Sequence, residues 1–255
     1  MNLSSLTPRT LILIGAFAAS FQIVATAPAS LIPALAGFSR AGLRYEEARG
    51  SVWNGTLRGV DAMGLRLGDV EYEIAPFSLF AGHAGGVFWM SGGALEGDGR
   101  ARISPFGGVE ISNARLLFDL GAATRYAFLG EPLAGSLRAD VVRLVLSKKG
   151  CVESQARLLT DVLAAPARRF KARAFDLAGS GGCDNGDFLV ELSGKGEEGA
   201  AAVSIRISPS MAYLLTASAV PAREDVAAAL QTLGFRNKDG ELTIGAEGVI
   251  GSHRS

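Results

Sequence analysis

Apolar residues recur at every second position along most of this chain, and glycines interrupt the recurrence. Across residues 69–74, Val70, Tyr72 and Ile74 oppose Asp69, Glu71 and Glu73. Across 203–208, Val203, Ile205 and Ile207 oppose Ser204, Arg206 and Ser208. Phe188, Val190 and Leu192 repeat the pattern, as do Leu242, Ile244 and Ala246. A period of two is the strand period, and apolar–polar alternation marks strands with one face buried and one solvated, as in antiparallel sheets. Gly85-Gly86, Gly92-Gly93, Gly107-Gly108 and the run from Gly179 to Gly182 fall between or beside such segments. Strands spaced by about ten to fifteen residues with such breaks predict a meander. The 33 glycines among 255 residues carry no collagen period and agree with many short strands and tight turns.

Three short segments read as helical: Pro76–Ala81, 121–129 and 222–233. The last is the best formed. Pro221 stands near its start, Glu224 and Asp225 suit its N-terminal dipole, Val226, Leu230 and Leu233 share a face, and Gly234 is placed as its C-cap. The segments 50–75 and 133–159 both run strand, turn, strand, a weak internal similarity.

From Thr10 to Ser39 no residue is charged. About 20 helical residues at about 1.5 Å each span a hydrocarbon core of about 30 Å. Residues 10–36 are therefore expected to be a transmembrane anchor with its exit segment. A short cytoplasmic tail at 1–9 precedes it, and an extracytoplasmic domain at 37–255 follows. Arg9, the tail's one charged side chain, gives a weak inward preference. Ala25-Thr26-Ala27 has the small-x-small form of a signal-peptide cleavage site, but Pro28 follows and is a poor residue after a cleaved bond. The expectation is a retained anchor, with Pro28 and Pro33 marking its exit.

Cys151 and Cys183 are the chain's two cysteines. Beyond an anchor, in an oxidising compartment, one disulfide is the simplest reading and two buried thiols the other.

The stretch "GSVWNGTLRG" at 50–59 sets Trp53 among glycines. At period two, Trp53, Gly55, Leu57 and Gly59 share a face, and Val52, Asn54, Thr56 and Arg58 share the other. Gly55 leaves room for a flat indole, so Trp53 is expected to be a core anchor of a half-buried strand. The alternative is a Trp-Gly surface that docks a partner.

Little else points to chemistry. His83 and His253 lack partners at metal spacing. A free thiol for a Cys-His pair would compete with the disulfide. Gly194-Lys195-Gly196-Glu197-Glu198-Gly199 matches GxGxxG but is followed by a strand, and its glutamates would repel a pyrophosphate, so it reads as a hairpin turn. Asn54-Gly55-Thr56 is a chance-level sequon within a strand. Glu46-Glu47 and the Glu71/Glu73 pair are candidate carboxylate pairs, but Glu71 and Glu73 lie on a solvated face. Arg168, Arg169, Lys171 and Arg173 form a basic cluster, suited to an acidic partner or lipid headgroups but more simply a solvated strand edge. The formal net charge is zero, so no nucleic-acid footprint is present. No catalytic set, cofactor or metal is expected.

Taken together, the uncharged N-terminal span ending in "TAPASLIPAL", then "GSVWNGTLRGV", "LRLGDVEYEIAPFSLFAG", two cysteines about thirty residues apart and "LQTLGF" resemble the type II secretion system protein N family. The family segment Gly-x-Val-Trp-x-Gly is matched at Gly50, Val52, Trp53 and Gly55. The family commonly has a tryptophan before an x-Leu-x-Pro-like step; here Tyr72 takes that place, with Ile74 and Pro76 following. The resemblance implies a non-enzymatic inner-membrane protein facing the periplasm, an accessory part of the machine that exports folded proteins across the outer membrane, with other secretion components as partners. The expected fold is mainly β, an N-terminal transmembrane helix followed by a twisted antiparallel sheet assembly with a few short helices. The competing reading is a periplasmic lipid-binding or lipid-bridging sheet protein, by likeness of outline only.

Overall fold

The computed structural model of the chain describes residues 22, 26–35, 42–62, 64–104, 107–122, 127–128, 131–132, 134–169 and 171–250. Most of the expected anchor, residues 10–36, and His253 lie outside the described residues. Among the described residues no helix is long and apolar enough to cross a membrane.

The strands in chain order are β1 (Leu43–Arg44), β2 (Glu47–Gly50), β3 (Asn54–Ala62), β4 (Leu65–Ile74), β5 (Ala84–Ser91), β6 (Leu95–Ile103), β7 (Val109–Asp119), β8 (Ala127–Phe128) and β9 (Glu131–Pro132). They continue with β10 (Ser136–Ser147), β11 (Gly150–Thr160), β12 (Leu177–Asp184), β13 (Asp187–Gly196), β14 (Gly199–Ile207), β15 (Ala212–Pro221), β16 (Arg236–Lys238) and β17 (Glu241–Val249). Fifteen of them make one antiparallel sheet in the order β1-β3-β4-β5-β6-β7-β10-β11-β12-β13-β14-β15-β17-β16, with β2 also pairing with β3. β8 and β9 pair only with each other. Neighbours in sequence are neighbours in space over almost the whole path, which is the expected meander. Its terminal strands β1 and β16 do not pair.

Three α-helices decorate the sheet: α1 (Leu31–Leu35), α2 (Ala164–Arg169) and α3 (Glu224–Thr232). Pro76–Ala81 is a 3₁₀ turn, as expected, and Gly82 closes it. The expected helix at 121–129 is not formed: Leu120–Ala122 is a single 3₁₀ turn and Ala127–Phe128 is a strand. Gly121 explains the short run, since it costs a helix about 1 kcal/mol. The helix expected at 222–233 is present two residues shorter at its start. Arg223 is its extended N-cap, and Glu224 and Asp225 fill the first turn. Its end is a Schellman motif. Phe235 N–H donates to Leu230 O (3.1 Å), Gly234 N–H donates to Gln231 O (3.0 Å), and Gly234 holds φ 98. Leu230 and Phe235 meet in the core with Leu242, which is the apolar contact that accompanies such caps.

Residues directly opposite in an antiparallel pair project to the same face, so register carries a face across the sheet. Gly55 opposes Tyr72, Tyr72 opposes Phe88, and Phe88 opposes Gly99. Farther on, Ala114 opposes Val141, Val141 opposes Ala156, and Ala156 opposes Gly181. Gly181 opposes Val190, Val190 opposes Ile205, Ile205 opposes Leu215, and Leu215 opposes Ala246. This inner face bears no charged side chain at any of these positions. The outer face carries the charges, with Arg115 opposite Asp98 and Arg206 paired to Asp184 at 2.8 Å and Asp187 at 3.3 Å. Hydrogen bonds that Arg206 donates to those two carboxylates, Asp184 first, hold its pKa above the ordinary value. These pairs are solvent-exposed and contribute little to stability. The core sits on the inner face in patches: Leu57, Val60 and Tyr72; Ala114, Val141 and Ala156; Leu158, Leu177, Val190 and Leu192; and Leu230, Phe235 and Leu242.

Candidate functional site

Among the described residues, the segment at 27–29 meets the sheet at a corner built from Gly50, Ser51 and Val52. Ala29 N–H donates to Gly50 O (3.0 Å) and Val52 N–H donates to Ala27 O (2.9 Å). Ala29 is 1% exposed and packs with Leu57, Val60 and Tyr72. Residues 27–29 are therefore bound to the sheet. Gly50 holds φ 92, and an added Cβ would lie 2.5 Å from Asn54 O. A side chain cannot be accommodated where the turn folds back this closely.

Trp53 is not in the strand. It lies half-buried in the bend before β3, where Ser51 Oγ accepts from the N–H groups of Trp53 and Asn54, each at 3.2 Å. Its carbonyl accepts from Ile74 N–H (2.6 Å). Gly55 and Leu57 are buried on the expected face, but a bulge at Gly59 breaks the alternation and Val60 takes the next inner position. The aromatic ring over Gly55 is nevertheless that of Tyr72: a Cβ on Gly55 would lie 2.7 Å from Tyr72 Oη and 3.0 Å from its Cζ. Tyr72 Oη donates to Ser51 O (2.8 Å). The expectation of Trp53 beside Gly55 is corrected in this respect, because the alternation begins at Asn54 and cannot be extended back through a turn. Burial raises the Tyr72 pKa above the ordinary tyrosine value. Pro76 opens its 3₁₀ turn, where a missing N–H costs nothing.

Cys151 and Cys183 form a disulfide, with Cα atoms 5.4 Å apart. The β11–β12 ladder runs from Thr160–Leu177 to Ala156–Gly181 and stops. The disulfide lies beyond that point and ties the two strands where they pair with β10 and β13 but no longer with each other.

The remaining sequence candidates are dispersed. His83 is half-buried, with Nδ1 3.3 Å from Ala81 O. Glu46 reaches Arg66 (3.5 Å), and Glu47 binds Arg49 (2.6 Å), whose hydrogen bond lowers the Glu47 pKa. Glu71 and Glu73 are exposed on the outer face. Gly196 and Gly199 flank a two-residue hairpin, as read from sequence. Arg168 and Arg169 lie on α2 rather than at a strand edge; the chain turns away from the sheet there between β11 and β12. Among the described residues no group of three or more His, Cys, Asp or Glu could hold a metal ion.

What the sequence reading missed is a groove on the inner face. Its floor is Ala201, Ala217 and Ala219, and its walls are Phe175 on one side and Leu230 and Phe235 on the other. Its cavity volume is about 120 Å³. The signal was present as the alanine-rich inner positions of β14 and β15, but the walls come from segments distant in sequence.

The family model for type II secretion system protein N matches residues 41–245. The chain belongs to this family. No curated protein and no solved structure matches it. The match begins just before β1 and ends within β17, so it covers the open meander, the Gly50–Gly55 corner and the disulfide. Proteins of the type II secretion protein N family are secretion components and not enzymes. A secretion component carrying a disulfide points to the cell envelope or periplasm.

Proposed function

We propose that the chain is an accessory component of type II secretion, held in the inner membrane by residues 10–36, with the sheet in the periplasm. It supports the export of folded proteins through contacts with other secretion components. The observation that carries this reading is the family match over residues 41–245. The contact surface is the charged outer face or an edge. β16 is three exposed residues at the end of the sheet, available for strand addition.

The test is deletion of the gene in its host, followed by measurement of secreted type II substrates. Secretion falls several-fold and returns with the full chain, and envelope cross-linking recovers other secretion components. Unchanged secretion together with an absence of such cross-links sinks the reading. A second reading, lipid handling, is favoured by the uncharged inner face, which such a protein would need and a purely scaffolding sheet would not.

A further inference from the structure

We propose that the groove between Phe175 and α3 binds one acyl chain of an acidic phospholipid, with the phosphate held by Arg168 and Lys171. The groove's floor and walls are apolar, and its cavity of about 120 Å³ is well below the roughly 300–1,000 Å³ of drug-sized pockets. A slot of this size takes a short stretch of one hydrocarbon chain and not a drug-sized ligand.

Charge at the rim selects the headgroup. Ala167, Ala172 and Arg173 line the groove, and the exposed Arg168 and Lys171 adjoin them. Two of the acids nearby are engaged: Glu197, and Glu198, which itself lines the groove. Glu197 takes Arg173 at 2.8 Å, and Glu198 takes Arg223 at 3.7 Å and accepts from Arg173 N–H at 3.3 Å. Asp176, next in the chain to Phe175, is exposed and has no ion pair among the described residues. Arg168 and Lys171 likewise have no ion-pair partner among the described residues. Arg168 and Lys171 beside a largely apolar slot complement an anionic amphiphile, and arginine in particular suits a phosphate.

The proposal rests on the membrane placement given above. It is tested without a secretion readout, so its failure leaves the secretion role standing. The full-length chain is placed in phosphatidylcholine vesicles containing either phosphatidylglycerol or phosphatidylcholine with a diazirine near the end of one acyl chain. After irradiation, mass spectrometry maps the labelled peptides. Label is expected at 199–203 and 217–219, several-fold stronger from phosphatidylglycerol. Ala217→Trp fills the slot and abolishes that label. Val226→Trp, from the helix wall, serves the same purpose if the first variant does not fold. Arg168→Gln with Lys171→Gln keeps the label and removes the headgroup preference. Label confined to residues 10–36, label unaffected by filling the slot, or equal labelling by the two probes overturns the assignment. So does an adduct of Leu230 with residues 10–36 or with a second copy of the chain, when the protein is grown with photo-leucine.

Discussion

At the scale of single residues, the packing of Tyr72 on Gly55 governs the start of the sheet. Gly55 has Tyr72 on one side and Arg49 O 2.5 Å from where a Cβ would be. Gly55→Val must displace one of them, and a loss of roughly 1–3 kcal/mol from overpacking is expected in thermal melts of the soluble domain. Tyr72→Phe keeps the ring and removes the bond to Ser51 O, for a loss of about 0.5–1.5 kcal/mol. The raised Tyr72 pKa has a further consequence. Below the ordinary tyrosine value of about 10 its contribution is fully present, and it is lost as pH rises through the higher folded value. The stability gap between the parent and Tyr72→Phe therefore narrows above about pH 10; a gap that widens there contradicts the assignment. Trp53→Ala, at a half-buried bend, is expected to cost less than the roughly 3–5 kcal/mol of a fully buried ring. A loss in that upper range would show that the indole is a core anchor after all. The buried face of Gly55 and Leu57 was legible from alternation, but its passage to Val60 and the ring that covers Gly55 were not. Cross-strand register decides it, and register depends on the bulge at Gly59, where φ is 59 and the N–H donates to Asp69 Oδ1 at 2.8 Å.

At the scale of elements, the disulfide replaces a ladder. β11 and β12 share pairing only from Thr160–Leu177 to Ala156–Gly181, and the Cys151–Cys183 bond holds the ends that continue past it. Closing a loop of 32 residues stabilises by roughly 3.5 kcal/mol in the chain-entropy model. Cys151→Ala with Cys183→Ala is expected to lower the melting temperature correspondingly. Amide exchange should rise at 150–155 and 182–188 and change little at β3 and β4. Uniform loss of protection would mean that the sheet unfolds as one unit and that the bond is not a local staple. Strands and the last helix were readable here because each is a local periodicity bounded by glycine. α2 was not: its "AAPARR" is short, carries Pro166 inside, and is fixed by packing of Leu163 and Phe175 against the core. The helix expected at 121–129 failed for the converse reason, since an apolar run without a cap does not commit to one period.

At the scale of the whole molecule, the sheet must be coupled to whatever precedes it. Ala29 is buried against Leu57 and Tyr72, while the carbonyl of Ala27 accepts from Val52 N–H at 2.9 Å. Cleavage after Ala27 would convert that carbonyl into a departing carboxylate. It would also place a charged amine on Pro28, whose backbone pairs with Ser51 at the edge of the sheet. Val52 N–H would lose its acceptor and the buried Ala29 would adjoin a free terminus. A retained span would avoid both costs, and the uncharged run from Thr10 to Ser39 would then be a tether bound to the sheet at residues 27–29. Peptides from residues 10–26 are therefore expected in the mature protein by mass spectrometry, and alkaline carbonate should leave it in the membrane pellet. A mature terminus at Pro28 or Ala29, with release into the soluble fraction, would overturn the tether. It would also remove the membrane placement on which delivery of a lipid to the groove depends. Charging the exit segment separates packing from tethering. Ala29→Asp buries an unpaired carboxylate beside Tyr72, so it should lower the melting temperature of the soluble domain yet leave the full chain in the pellet. If the pellet is lost as well, the anchor is held by the sheet and not by the bilayer.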